Sequence, residues 1–301
     1  MSYILRRRRL GRTSAREIAR ESTTNLKVYR NDGKAYNHAT NKYTTAALPS
    51  DAEYVFRWGC TSSVPGNPTI VNTSAAIHTV ADKAQFRMDT AALGIAPKSW
   101  RSYHDLEGSE DHLTEYTKLV VRRSTHHQGL FLHVATNEQE LKAACNRYGE
   151  GNYYISEYIA KVAEYRVCFV SGRVAWVAKK TPADPNAVAW NVAQGGRFDN
   201  VAWGDWPLKA IKVSKQAFDL SGLDFGGVDV MVDNAGEVFV LEINSAPSLT
   251  SPYRQSCMTK CFDYIVQNGK AAIPLVESLG NYKKFIHPAL TAEALVLAQA
   301  A

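Results

Sequence analysis

The stretch from Gly226 to Asn244 constrains this chain more than any other. Gly226-Gly227-Val228-Asp229-Val230-Met231-Val232-Asp233 and Glu237-Val238-Phe239-Val240-Leu241-Glu242-Ile243-Asn244 are two β-branched runs around Asn234-Ala235-Gly236. Such runs about a short turn read as an antiparallel hairpin. Side chains repeat every two residues along a strand, so strict alternation puts Val238, Val240, Glu242 and Asn244 on one face. A carboxylate and an amide ending an apolar strand face are costly to bury unless something pairs with them. Asp229 stands in the same position on the partner strand. Asp, Glu and an Asn carbonyl are hard oxygen donors, the set that Mg²⁺ takes alongside phosphate oxygens. Ordinary surface acids on a solvated sheet edge are the plainer alternative.

Length leaves room for one large domain or two to three small ones, since the chain has 301 residues. A hydrophobic content of 45% with 21% charge is that of a soluble globular protein. No apolar run approaches the roughly 20 residues that span a bilayer. The basic start lacks an apolar segment behind it, so no secretory signal is visible and a cytoplasmic location is expected. Cys60, Cys145, Cys168, Cys257 and Cys261 are odd in number and scattered, which suits reduced thiols and completes no zinc set. The net charge of +6 is concentrated at one end, with Arg6 to Arg9, Arg12, Arg16 and Arg20 in the first twenty residues. That cluster reads either as a solvated terminus or as an arm for nucleic acid or an acidic partner. No aromatic platform is interleaved with the arginines, which favours the solvated terminus.

Pattern divides the chain into five parts. Residues 1–24 read as a basic extension with a short helix. Residues 25–95 read as a small α/β domain, with strands near 26–30, 53–58 and 69–72 and one helix over 73–93 that Gly94 and Pro97 end. Residues 96–156 hold the strand Lys118–Arg122, a loop through His126-His127-Gln128-Gly129, the strand Leu130–Val134, and a helix capped by Asn137 and Gly149. Residues 157–270 hold strands 166–170 and 173–179 about Ser171-Gly172, a polar segment from Thr181 to Trp206, a helix near 208–221, and the hairpin. Residues 271–301 complete a helical tail that starts near 255.

Polar residues recur at strand ends across these parts: Lys83, Arg122, Glu157, Glu164, Lys180, Asn191, Asp229, Glu242 and Asn244. Cations beside a hairpin of oxygen donors make joint sense around a nucleoside triphosphate. In this order the pattern resembles the ATP-grasp superfamily, and within it the RimK-type ligases, over about residues 70–266. Val120-Val121-Arg122 followed by Gln128-Gly129 is similar to the strand and phosphate loop. Tyr153 to Ile159 looks like the hinge on which adenine lies. Asn191-Val192-Ala193-Gln194-Gly195-Gly196 matches the Asn-three-residues-Gly-Gly motif, and Gly226–Asp229 with Leu241–Asn244 matches the metal-binding strands.

The resemblance implies an α+β ATP-grasp fold, two subdomains clamping ATP behind a small α/β domain. It implies that Lys83 and Arg122 hold phosphates, that Gln128 and Gly129 close over them, that Glu157, Tyr158 and Ile159 read adenine, and that Glu164 binds ribose. Lys180, Arg166 and Asn191 are the implied catalytic residues. Asp229, Glu242 and Asn244 are the implied ligands of two Mg²⁺ ions, or of Mn²⁺ in their place. The implied chemistry is ligation of a carboxylate to an amine through an acylphosphate, with an amino acid and a peptide, protein or small-molecule acceptor as partners. Arg122 stands where the family has lysine, His126 where it has glycine, Lys180 where it has arginine, and Ala189 where it has a second arginine. The last two changes fall where the acyl substrate binds and point away from glutamate as donor. A catalytically altered ATP-binding regulator and a nucleic-acid-associated enzyme stay open as alternatives, as does self-association.

Overall fold

The computed structural model describes residues 1–108, 116–125, 131–184, 187–190 and 195–270. The first sheet has six strands in the order β4-β3-β2-β1-β5-β6, formed by β1 (Ser2–Arg6), β2 (Lys27–Arg30), β3 (Lys34–Asn37), β4 (Lys42–Thr45), β5 (Tyr54–Trp58) and β6 (Thr69–Val71). β1 runs parallel to β2 and β5, and β6 parallel to β5. Every residue of β1 is buried, as expected of an inner parallel strand covered on both faces.

This corrects the expectation of a solvated extension over 1–24. Ser2-Tyr3-Ile4-Leu5 is a short apolar run whose strand character the following arginines obscure. Helix α1 (Arg12–Glu21) packs Ala15, Ile18 and Ala19 beneath the sheet. Its exit is pinned by the carboxylate of Asp263, which accepts hydrogen bonds from Thr23 N at 2.8 Å, Thr23 Oγ1 at 2.9 Å and Thr24 Oγ1 at 2.7 Å.

The expected single helix over 73–93 is two, α2 (Ser74–Ala81) and α3 (Lys83–Ala92). Asp82 divides them, because its carboxylate accepts from Gln85 N at 3.0 Å and so caps α3. Lys83 thereby becomes the first residue of the second helix.

The second sheet, ordered β7-β10-β8-β9, is antiparallel and contains β7 (Ser99–Trp100), β8 (Leu119–Arg123), β9 (Leu132–Ala135) and β10 (Tyr153–Glu157). Helix α4 (Tyr103–Glu107) lies near its edge, and α5 (Glu138–Tyr148), capped by Asn137 as expected, covers it.

The third sheet, ordered β13-β12-β11-β14-β15, contains β11 (Lys161–Val170), β12 (Arg173–Thr181), β13 (Arg197–Asn200), β14 (Phe225–Asp233) and β15 (Val238–Asn244). β13 was not expected within the polar segment. One face is largely apolar, with Val167, Phe169, Val177, Val228, Val230 and Val240 packed with α6 (Leu208–Ser221). The other face is divided. Cys168, Trp176, Ala178 and Phe225 share a core with α7 (Pro252–Asn268) and the first sheet, while Glu164, Arg166, Lys180, Asp229 and Glu242 occupy the remainder. All five cysteines are buried and free. No helix among the described residues is long and apolar enough to cross a membrane.

Candidate active site

The hairpin forms as expected, but its faces do not. Val228 pairs with Ile243, Asp229 with Glu242, and Val230 with Val240, so the register skips Leu241. A β-bulge adds a residue and re-aims the side chains beyond it. Val238, Val240 and Ile243 therefore face α6, while Glu242 and Asn244 face the opposite side. The expectation that Val238, Val240, Glu242 and Asn244 share a face is corrected by this one residue. Arg87 holds the bulge, donating to Val240 O at 2.7 Å and Leu241 O at 2.6 Å. Arg87 was missed in the sequence, where it is one more helical arginine.

On the charged face, Arg166, Asp229 and Glu242 are direct neighbours across three strands. Arg166 grips Asp229 with two hydrogen bonds, Nε to Oδ1 at 2.6 Å and Nη2 to Oδ2 at 2.8 Å. Close approach is possible because residue 227 is glycine. A Cβ there would lie 3.3 Å from both Arg166 Cδ and Pro247 Cβ. Lys180 Nζ lies 3.0 Å from Asp229 Oδ2 and also donates to Glu164, which Lys161 holds from the other side at 2.8 Å. Lys83 Nζ is 2.6 Å from Glu242 Oε2, and Arg122 Nη2 reaches the same oxygen at 4.0 Å from the facing sheet.

These contacts set the protonation states. Burial alone would raise the Asp229 pKa, but Arg166 and Lys180 overcome it and hold the carboxyl below its usual range. Burial opposes ionisation of Glu242 as well, yet Lys83 and Arg122 keep it well below. For Lys180 burial lowers the pKa, and Asp229 and Glu164 reverse the sign. Lys161 is depressed, chiefly by burial, despite Glu164.

The cluster lines a cavity of about 450 Å³ between the second and third sheets, with Arg122, Lys161, Glu164, Arg166, Lys180 and Asp229 among its walls. A second cavity of about 290 Å³ adjoins it, walled by Val120, Tyr154, Met231 and Leu241, with Glu157, Tyr158 and Ile159 along one side. Arg122 and Trp190 border both. Trp190, whose ring lies 4.8 Å from Lys161 Nζ, carried no motif in the sequence. Glu157 is anchored by Lys98 N at 3.2 Å.

Two of the expected site residues lie away from the hinge pocket. Glu164 lines the charged cavity rather than the hinge pocket. Lys83 borders neither large cavity and stands behind Glu242. Gln128, Gly129, Asn191, His126, His127 and the tail 271–301 lie outside the described residues.

The donor set suits a divalent cation only with help. Among the described residues no group of three His, Cys, Asp or Glu side chains is arranged to hold a metal alone. Asp229, Glu242 and Asn244 share one wall, so phosphate oxygens would complete the shell, the usual manner of Mg²⁺. Arg122 Nε is buried without an acceptor among the described residues, as suits a donor awaiting an anion. Farther back, Arg254 on α7 is 2% exposed. Its Nε and Nη1 also lack acceptors there.

A family model for the RimK-like ATP-grasp domain matches residues 74–261. The fold is similar to macrocyclase MdnC of Microcystis aeruginosa MRC bound with precursor peptide MdnA, at 14% identity and TM-score 0.61, covering 89% of this chain and 100% of that one. It is similar to the Chryseobacterium gregarium RiPP-associated ATP-grasp ligase in complex with ADP and a leader and core peptide, at 12% identity and TM-score 0.59, covering 92% and 98%. It is also similar to a RimK-domain ATP-grasp protein of Sphaerobacter thermophilus, at 14% identity and TM-score 0.58, covering 89% and 100%. No curated protein matches the sequence. With the family model spanning more than half its length, the chain belongs to the RimK-like ATP-grasp family and is an ADP-forming ATP-grasp ligase.

Proposed function

We propose that the chain joins a carboxylate of a peptide or protein acceptor to an amine, activating the carboxylate as an acylphosphate at the expense of ATP. The observation that carries this reading is the Arg166–Asp229–Glu242 row, faced by Arg122 across one cavity beside an apolar hinge pocket. Adenine suits the pocket between Tyr154, Ile159 and Met231, and the phosphates then point at Arg122 and the acidic wall. The peptide-bound macrocyclase and RiPP-associated ligase support a peptide acceptor.

In this reading Asp229, Glu242 and Asn244 would hold Mg²⁺, which would supply charge neutralisation at the phosphoryl group being transferred. Arg122 orients the β-phosphate through its fork of donors. Lys180 and Arg166 stay cationic and face the oxygens that gain charge during transfer and amine attack. Trp190 limits water at the junction of the two cavities, where an acylphosphate would otherwise hydrolyse. No side chain serves as nucleophile, since the substrate carboxylate is one itself.

The test is Mg²⁺-dependent ADP release, screened over amino acids and peptide carboxylates, in wild type and Glu242→Ala. Release that requires both a carboxylate and an amine supports the reading. Release undiminished in Glu242→Ala would sink the metal assignment.

A further inference from the structure

The chain's densest charge lies beside this cavity. Arg7, Arg8, Arg9 and Arg12 follow β1 with no acid among them, and all four are exposed. Among the described residues none of the four is in an ion pair. The segment is held in place. Arg6 is buried and its Nη1 donates to the carbonyls of Arg7 at 2.8 Å, Arg8 at 3.1 Å and Leu10 at 3.0 Å. Tyr43 Oη receives Arg6 Nε at 3.0 Å. A buried guanidinium thus gathers the loop's carbonyls inward and leaves its arginine side chains outside.

The position is specific. β1 has β2 on one side and β5 on the other, so the loop leaves the carboxyl end of the sheet where strand order reverses. Crevices at such switch points are where open parallel sheets take ligands. Gly59, immediately after β5, joins this place to the reaction cavity. Its φ is +61°, and a Cβ there would lie 2.9 Å from Ala246 Cβ and 3.6 Å from Leu10 Cδ1. Ala246, Pro247 and Ser248 line the cavity. Leu10, Gly59 and Ala246 therefore meet, and the arginine loop stands at the cavity's lip.

We propose that Arg7, Arg8, Arg9 and Arg12 bind an acidic polypeptide segment and guide one of its carboxylates past Ala246 into the cavity. The guiding rests on the ligase reading; the binding does not. Four cations this close, with no ion-pair partner among the described residues, repel one another and create a field that an anionic partner relieves. Carboxylates fit the planar donor fork of arginine. Nucleic acid would bring phosphates too, but no aromatic side chain stands among the four arginines to stack a base.

The experiment is fluorescence anisotropy with a labelled oligoglutamate peptide, without nucleotide, using the full chain. The variant Arg7→Ser/Arg8→Ser/Arg9→Ser alters exposed side chains only. It should weaken binding at least about tenfold at low salt, and added salt should erase the difference. Lys209→Ser/Lys212→Ser/Lys215→Ser on α6 removes equal charge from the far side of the third sheet and should leave binding within about twofold. Equal losses in both variants, no loss in the arginine variant, or tighter binding of single-stranded DNA than of oligoglutamate would each overturn the proposal. Peptide binding without amine-dependent ADP release would keep the surface and remove the ligase reading.

Discussion

Asp229 and Glu242 stand opposite each other across β14 and β15, yet their counter-charges come from different parts of the molecule. Asp229 is held within its own sheet by Arg166 and Lys180. Glu242 is held from outside by Lys83 at the start of α3 and by Arg122 of the facing sheet. One carboxylate is a fixed part of the sheet; the other is a junction between units.

That difference predicts graded outcomes. Glu242→Gln removes the acid that Lys83 and Arg122 hold ionised, so stability at neutral pH should fall, by less than in Arg166→Met because Glu242 is the less buried of the two carboxylates, while ADP release is lost. Thermal melting and a coupled ADP assay measure the two.

Arg166→Met should cost about 3 kcal/mol, because it leaves Asp229 buried with one of its two partners gone. Arg254→Met should cost less than about 1 kcal/mol or stabilise, because two of its donors are without acceptors among the described residues. Urea denaturation of both variants tests the contrast.

Acid should unfold the protein through this wall. Both carboxyls have folded-state pKa values below their ordinary values of 3.8 and 4.5. Their contribution is complete above those ordinary values and is lost as pH falls through the depressed folded ones. Stability of wild type should therefore decline below about pH 4.5, and less steeply in Glu242→Gln. At the alkaline end the raised Lys180 gives a contribution present below its ordinary 10.5 and lost as pH climbs through its folded value.

Mg²⁺ with ADP should raise Tm by a few degrees, roughly as expected at 100 times Kd. Arg122→Leu should abolish most of that shift, since Arg122 borders both cavities. Differential scanning fluorimetry reads the result.

Much of this was legible in the chain. Asp229 and Glu242 announced themselves as acids in β-branched runs, and the helix caps at Asn137 and Gly149 formed as their chemistry dictates. Three things were not legible. The buried strand Ser2–Arg6 carries too few apolar residues to outweigh the arginines beside it, and its partners come later in the chain. Asp82 reads as a surface residue within a helical period until its side chain is seen to cap α3. Arg87 and Trp190 act through distant backbone and cavity walls, which no local spacing records. Deleting residues 1–24 would remove an inner strand and should yield insoluble protein rather than a chain lacking only its tail; sedimentation after expression checks this.

The extra residue at Leu241 gives one seven-residue strand two independent histories. Its first half answers to the helix packed beneath it and tolerates little change. In its last half only Glu242 and Asn244 border the cavity, while Ile243 between them still packs with α6. A change at either of those two positions would therefore alter what the cavity offers while the packing beneath the strand stays in place.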